Sequence, residues 1–207
     1  MGNVFFVRHG EAETNKNDVL SSDYDGYPLT ENGRSQVSAT AEQLQGIMFD
    51  RAYSSPVLRA RQTAEILLEG RGIEPKVDER LRERGMGEME GKQAHNGNWI
   101  IPMLRKREYS LGVESFQDMA ERTLSFIDAV PKEGNTLVAT HESPISVLAC
   151  SILGLVEFNG KGIKVGNASV TVITVSENEK PGLLALGSYS IDSLYFEDIA
   201  NRSRHSH

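Results

Sequence analysis

The stretch Val4-Phe5-Phe6-Val7-Arg8-His9-Gly10-Glu11 decides how the rest of this chain reads. Its four consecutive apolar residues predict a strand covered on both faces, the pattern of a parallel sheet. Ligands of such sheets bind just beyond the carboxyl ends of the strands. The first turn out of this strand carries a guanidinium and an imidazole. A histidine at that address serves as base, nucleophile, metal ligand or core packing, and a tripeptide such as Arg8-His9-Gly10 does not choose among them by itself.

Outward from this strand, apolar runs alternate with helical patterns, the grammar of an α/β domain with a mostly parallel sheet. The pattern predicts strands over Val4–Val7, Ala52–Tyr53, Pro75–Val77, Thr136–Ala139, Ser169–Val175 and Leu183–Ser188. It predicts helices over Glu31–Gln45, Pro56–Leu68, Ser115–Val130 and Pro144–Leu153. Residues 1–195 read as a single domain, with a short insertion at about 92–113 that interrupts the alternation over one face. Residues 196–207 read as a polar tail, and its histidines, His205 and His207, as solvated groups rather than metal ligands.

A chain of 207 residues suits one large domain. At that length folding buries roughly 70% of the unfolded surface, so no disulfide or metal staple is needed. The single cysteine, Cys150, lies in an apolar run and reads as a core residue, which fits a reducing compartment. A net charge of −7 argues against nucleic acid as the main partner. No apolar run approaches the ~20 residues of a membrane span. Arg8 interrupts any secretory signal, and Phe6 stands where a myristoylation motif wants Ser or Thr. The expectation is a soluble, cytoplasmic protein whose partner is a small molecule, with oligomeric state left open.

Two further stretches share the address of His9. In Ser54-Ser55-Pro56-Val57-Leu58-Arg59, Ser55 reads as a helix N-cap and Pro56 as the first helical residue. Val57, Ala60, Ala64 and Leu67 fall on one apolar face, and Arg59 lies in or just past the first turn. The macrodipole disfavours a cation there unless an anion is bound. Standing alone, Arg59 would read as a surface arginine. In Thr140-His141-Glu142-Ser143-Pro144, Ser143-Pro144 repeats the cap-then-proline pattern, so His141 sits at a strand end beside a helix start. The alternative for His141 is a neutral core histidine. Taken together, the three stretches gather two arginines, two histidines and free backbone N–H groups at one sheet edge, a pocket for a small dianion. Asn15 follows in a polar loop. No glycine-rich nucleotide loop and no zinc spacing is present.

At this point the chain resembles the histidine phosphatase superfamily, which includes the cofactor-dependent phosphoglycerate mutases. The resemblance rests on Arg8-His9-Gly10-Glu11 with Asn15, on Pro28-Leu29-Thr30-Glu31-Asn32-Gly33, and on Ser55-Pro56-Val57-Leu58-Arg59-Ala60-Arg61-Gln62-Thr63-Ala64. Leu81-Arg82-Glu83-Arg84 with Gly87 and Glu90-Gly91, Gly112-Val113-Glu114-Ser115, and Thr140-His141 continue it in order, over about residues 4 to 150. It implies a three-layer α/β/α sandwich of phosphoglycerate mutase type. It also implies His9 as a nucleophile that becomes N-phosphorylated, Arg8, Arg59 and His141 as partners of the phosphoryl group, and Glu83 as general acid. Asn15 would hydrogen-bond a phosphoryl oxygen. Arg8 and Arg59 would depress the pKa of His9 and keep its ring neutral.

The loop bearing Glu83 has glycines at 85, 87 and 91, where backbone can approach a ligand closely. One departure from the family pattern is Glu142, where glycine is usual after the second histidine. A second branch, the acid phosphatases and phytases, carries its acid near that point, so Glu142 is a rival proton donor next to the substrate. The resemblance leaves three activities open: a phosphomonoesterase, a mutase and a phosphate-binding module without turnover. About twenty residues separate Gly91 from Glu114, including Trp99, Ile100, Ile101, Met103, Arg105, Lys106 and Arg107. That is short beside the family mutases and favours hydrolysis. No cofactor is expected for a phosphatase; 2,3-bisphosphoglycerate would serve only a mutase.

Overall fold

The computed structural model describes residues 1–94, 111–155 and 163–191. Each apolar run of the strand pattern becomes a strand: β1 Gly2–Arg8, β2 Arg51–Ser54, β3 Lys76–Val77, β4 Gly134–Thr140, β5 Val170–Val175 and β6 Gly182–Ser188. They form one sheet in the order β3-β2-β4-β1-β5-β6. The four strands from β3 to β1 are parallel, and β5 runs antiparallel to both β1 and β6. The helices are a short α1, Glu13–Lys16, then α2 Glu31–Gln43, α3 Leu58–Leu68, α4 Phe116–Ala129 and α5 Glu142–Ile152. Single 3₁₀ turns lie at Glu79–Leu81 and Gly87–Met89.

Alternation along β1 explains the layers. Phe5 and Val7 point to the face covered by α2 and α3, among Val37, Leu44, Ala64 and Leu67. Val4 and Phe6 point to the other face, among Phe126 and Ile127 of α4 and Ile145 and Leu148 of α5. The continuous apolar run is thus a strand buried on both sides, in the middle layer of an α/β/α sandwich. Each such side chain contributes about 1.5–3 kcal/mol by leaving water. Cys150 is buried on α5, as expected of a core residue. Among the described residues no helix is long and apolar enough to cross a membrane.

Strand register places the site. Arg8 pairs with Thr140 across β1 and β4, and Ser54 pairs with Ala139 across β2 and β4. The backbone N–H of His9 continues the ladder to Thr140 O at 2.9 Å, and that of Ser55 donates to Ala139 O at 2.9 Å. His9, His141 and Ser55 therefore leave three adjacent strands at one level.

The helix starts differ from expectation. α3 begins at Leu58 with Val57 as its cap residue, not at Pro56. Ser55 lies two residues ahead of that cap, where its Oγ accepts the N–H of Val57 and meets His141. α5 begins at Glu142 with His141 itself as the cap residue, two residues ahead of Pro144. Proline is tolerated there because the first-turn N–H groups have no intrahelical acceptor. Asn15 lies in α1 rather than in a loop, and its Oδ1 accepts the N–H of Ala12 at 3.0 Å. Of the insertion, residues 95–110 fall outside the described residues, including Trp99, Ile100, Ile101, Met103, Arg105, Lys106 and Arg107; so does the tail from 192.

The first turn of α2 presses directly on the chain leaving β1. A Cβ on Gly33 would meet Glu11 O at 1.9 Å, and one on Gly10 would meet Gly33 O at 2.3 Å. Backbone cannot yield to either. Gly33→Ala is expected to lower stability by about 1–3 kcal/mol, the usual range for overpacking, read as a reduced urea midpoint at unchanged slope.

Candidate active site

The carboxyl ends of β1, β2 and β4 bring His9, Arg59 and His141 together under Glu83. Arg59 is only 2% exposed, so the surface-arginine reading fails. It is carried at the second position of α3, and the apolar face of Val57, Ala60, Ala64 and Leu67 that fixes the helix is buried as its spacing predicts. His9 Nδ1 lies 2.7 Å from Gly10 O, which fixes its proton on Nδ1. Nε2 is then an acceptor, and Arg59 Nε donates to it at 3.3 Å. The His9 and His141 rings meet edge to face, 5.1 Å between centroids.

Burial, then the positive charges of Arg59 and Arg8, holds the pKa of His9 well below the ordinary 6.5. The two arginines act in the expected sense, yet desolvation is the larger cause. His141 is lowered well below 6.5 too, by burial, Arg59, His9 and Arg8 in that order. Both rings are neutral near pH 7, and the lone pair of His9 Nε2 is available to an electrophile.

Among the described residues of this cluster, three buried nitrogens have no hydrogen-bond partner: Arg8 Nε, Arg59 Nη1 and His141 Nδ1. Other groups of these side chains are occupied. Arg8 Nη1 donates to Val165 O at 2.6 Å and pairs with Glu142 Oε2 at 2.9 Å. Arg59 Nη2 donates to Ser21 O at 2.9 Å. His141 Nε2 lies 2.8 Å from Ser55 Oγ. Unsatisfied buried donors are costly, and each of these belongs to a cation or to a ring beside one. Anionic oxygens are the acceptors best suited to groups of this charge.

Glu83 is 8% exposed and turns one oxygen toward this cluster, Oε2 lying 3.8 Å from His141 Nδ1. Its Oε1 accepts the N–H of Arg84 at 2.8 Å. Its segment is tied down by Thr140, whose Oγ1 donates to Leu81 O at 2.7 Å. Of the glycines of this loop, Gly87 serves the fold: at φ +52° it lies against the backbone of Leu111 and Gly112. Glu142 is partly exposed beside Arg8. Burial raises its pKa, Arg8 opposes this, and Glu83 adds to it. Asn15 is displaced from the cluster's interior, with Oδ1 held by Ala12 N and by Asn167 Nδ2 at 3.2 Å, which leaves only its own Nδ2 to donate.

Two supports were not assigned from sequence. Asn167 also donates to His9 O at 3.1 Å, and no local signal marks it, because it lies 158 residues away. Glu114 organises the acid-bearing loop: it accepts from Arg82, from Arg122 twice and from the N–H of Gly85. Burial works against its charge, and these donors outweigh burial, so its pKa is lowered. Its signal was the Gly112-Val113-Glu114-Ser115 motif, which carries no role by itself. Among the described residues no group of three or more histidine, cysteine or carboxylate side chains could hold a metal ion.

The α/β/α sandwich thus carries two histidines and two arginines at the carboxyl edge of its sheet. The profile of the histidine phosphatase superfamily (branch 1) matches residues 4–186, and the chain belongs to that family. It is 33% identical over 191 residues to a 2,3-bisphosphoglycerate-dependent phosphoglycerate mutase of Thermoplasma acidophilum, covering 91% of this chain and 93% of that one. Among solved structures it resembles Bacillus stearothermophilus YhfR, at 25% identity and TM-score 0.83 over 92% and 98% of the two chains. It also resembles a mycobacterial glucosyl-3-phosphoglycerate phosphatase solved with VO3, at 26% identity and TM-score 0.75 over 90% and 98%.

Two outcomes follow from this geometry. His9 and His141 are neutral when folded and charge readily when unfolded, so the unfolded state binds more protons in acid. Their contribution to stability is full above pH 6.5, the ordinary histidine value, and is lost as pH falls below it. Ring-carbon NMR titration should show no midpoint at 6.5 for either residue, and urea midpoints should fall with pH across that window. Glu114→Ala strands Arg82 and Arg122, and should cost about 3–5 kcal/mol, the range for breaking a buried pair, in chemical denaturation.

Proposed function

We propose that the protein is a phosphomonoesterase that transfers a phosphoryl group to His9 Nε2 and then hydrolyses the phosphohistidine. The observation that carries this reading is the set of three unpartnered buried nitrogens, Arg8 Nε, Arg59 Nη1 and His141 Nδ1, in the cluster of His9, whose Nε2 lone pair is met only by the long 3.3 Å hydrogen bond from Arg59 Nε. A phosphoryl group presents three oxygens in a plane while its fourth ligand changes, and catalysis of its transfer is largely positioning and charge stabilisation.

In the first step the lone pair of His9 Nε2 forms a bond to phosphorus. The ester P–O bond breaks, and Glu83 in its acid form gives its proton to the leaving alkoxide. In the second step Glu83, now a carboxylate, takes a proton from water as the water oxygen bonds to phosphorus. The P–N bond breaks, inorganic phosphate leaves, and His9 and Glu83 return to their starting states. The proton of His9 stays on Nδ1, donated to Gly10 O throughout, so that the ring of the phosphohistidine carries a delocalised positive charge. General acid–base help of this kind is worth roughly 10²–10⁴ in rate.

Glu142 is the rival donor, and its raised pKa favours an acid form. Its pairing with Arg8 argues for the other assignment, because it then holds an arginine of the phosphoryl pocket. We assign the proton to Glu83, which is buried and faces His141 Nδ1, and place Glu142 at the substrate rim. A mutase is the second reading, favoured by the Thermoplasma relative. That relative aligns along nearly all of both chains, so the short insertion no longer discriminates. Hydrolysis is favoured instead by carboxylates around the pocket. Glu83, Glu90 and Asp23 act on Arg59 and Glu142 lies on Arg8, which opposes retention of an acidic phosphorylated product.

Acid-labile labelling by a phosphodonor should appear in the wild type and vanish in His9→Ala. A wild type that neither labels nor releases phosphate from p-nitrophenyl phosphate would instead be a binding module. Glu83→Gln should slow alkyl phosphates roughly 10²-fold or more, within the general-acid range, while aryl phosphates with good leaving groups change little. If Glu142→Gln behaves this way and Glu83→Gln does not, the acid assignment is reversed. Stimulation of phosphoglycerate interconversion by 2,3-bisphosphoglycerate would decide for the mutase.

A further inference from the structure

The reading above leaves Ser55 without a part, although its hydroxyl is fully buried against His141. Neutral imidazole carries one proton, and its position decides whether the nitrogen facing the pocket offers a hydrogen or a lone pair. We propose that Ser55 is a positioning residue that holds the His141 ring as its Nδ1–H tautomer, so that His141 donates to the phosphoryl group.

Proton accounting carries the inference. Ser55 Oγ accepts the N–H of Val57 at 3.2 Å, and among the described residues its other polar contact is His141 Nε2 at 2.8 Å. Were Nε2 to carry the proton, Ser55 Oγ would accept twice, and its own hydrogen would be buried with no acceptor. With Nε2 as acceptor the hydroxyl proton is used, and the ring proton moves to Nδ1. The far side of the ring agrees. Nδ1 is buried without a partner, beside Glu83 Oε2 at 3.8 Å. A lone pair there would oppose the oxygens of a bound phosphate, whereas an N–H suits them.

Position follows from the sheet. Ser55 N donates to Ala139 O, and Ser55 therefore leaves β2 one step from the end of β4, where His141 emerges. The inference rests on the proposed function only in naming phosphate as the group that Nδ1 faces.

The test is long-range ¹H–¹⁵N correlation of the histidine rings, with His141 assigned by loss of its signals in His141→Gln. Wild type should show Nδ1 protonated and Nε2 bare. In Ser55→Ala the proton should shift toward Nε2, and the Kd for inorganic phosphate should rise about tenfold, the scale of one neutral hydrogen bond lost. Ser55→Thr keeps a hydroxyl and should keep both the tautomer and the Kd. A wild-type ring protonated on Nε2 would overturn the proposal whether or not Ser55→Ala folds. So would a folded Ser55→Ala with unchanged tautomer and Kd. Should the tautomer behave as stated while His9 never labels, the assignment of Ser55 stands and the phosphoesterase reading fails.

Discussion

The guanidinium of Arg59 is the constraint on which the site depends. It is buried, it sits in the first turn of α3, and among the described residues no carboxylate pairs with it. Desolvation and the helix macrodipole both oppose a cation in that position. Glu83, Glu90 and Asp23 act on it from a distance, and a carbonyl and an imidazole occupy two of its nitrogens. Such an arrangement is stable enough to fold because the scaffold around it is large and apolar. Its electrostatics are completed only by an anion. The neutrality of both histidines follows from the same cation and the same burial.

Around that charge the fold supplies rigidity rather than further charge. Parallel register sets His9, Ser55 and His141 on neighbouring strand ends, and the contact of Gly10 with Gly33 locks the first turn after β1 beneath α2. The acid-bearing loop hangs from two points, Thr140 to Leu81 and Glu114 to Arg82, Gly85 and Arg122. Neither point touches the pocket. Both decide where the carboxyl of Glu83 lies.

Glu142 gives this family member a distinct balance at the pocket rim. Its carboxylate shares Arg8 with the site, so an incoming phosphoryl group and Glu142 draw on the same guanidinium. Charge at the rim is therefore closer to neutral than two arginines suggest.

Much of this was legible in the chain. Apolar runs of strand length, and a helix face at Val57, Ala60, Ala64 and Leu67, establish the layers, because burial on two faces or one stripe leaves a period that sequence displays. The histidines and arginines were recognisable from their places after strands and from motif order. Helix starts were misplaced: Ser55, a good cap by type, lies two residues ahead of the cap of α3 and meets His141, and that contact spans 86 residues. The same distance hid Asn167 and the role of Glu114. Local periodicity reports what a residue does with its neighbours in the chain. Which donors are left unpartnered, which ring nitrogen carries a proton and which carboxylate faces the pocket depend on groups brought together only when the sheet closes.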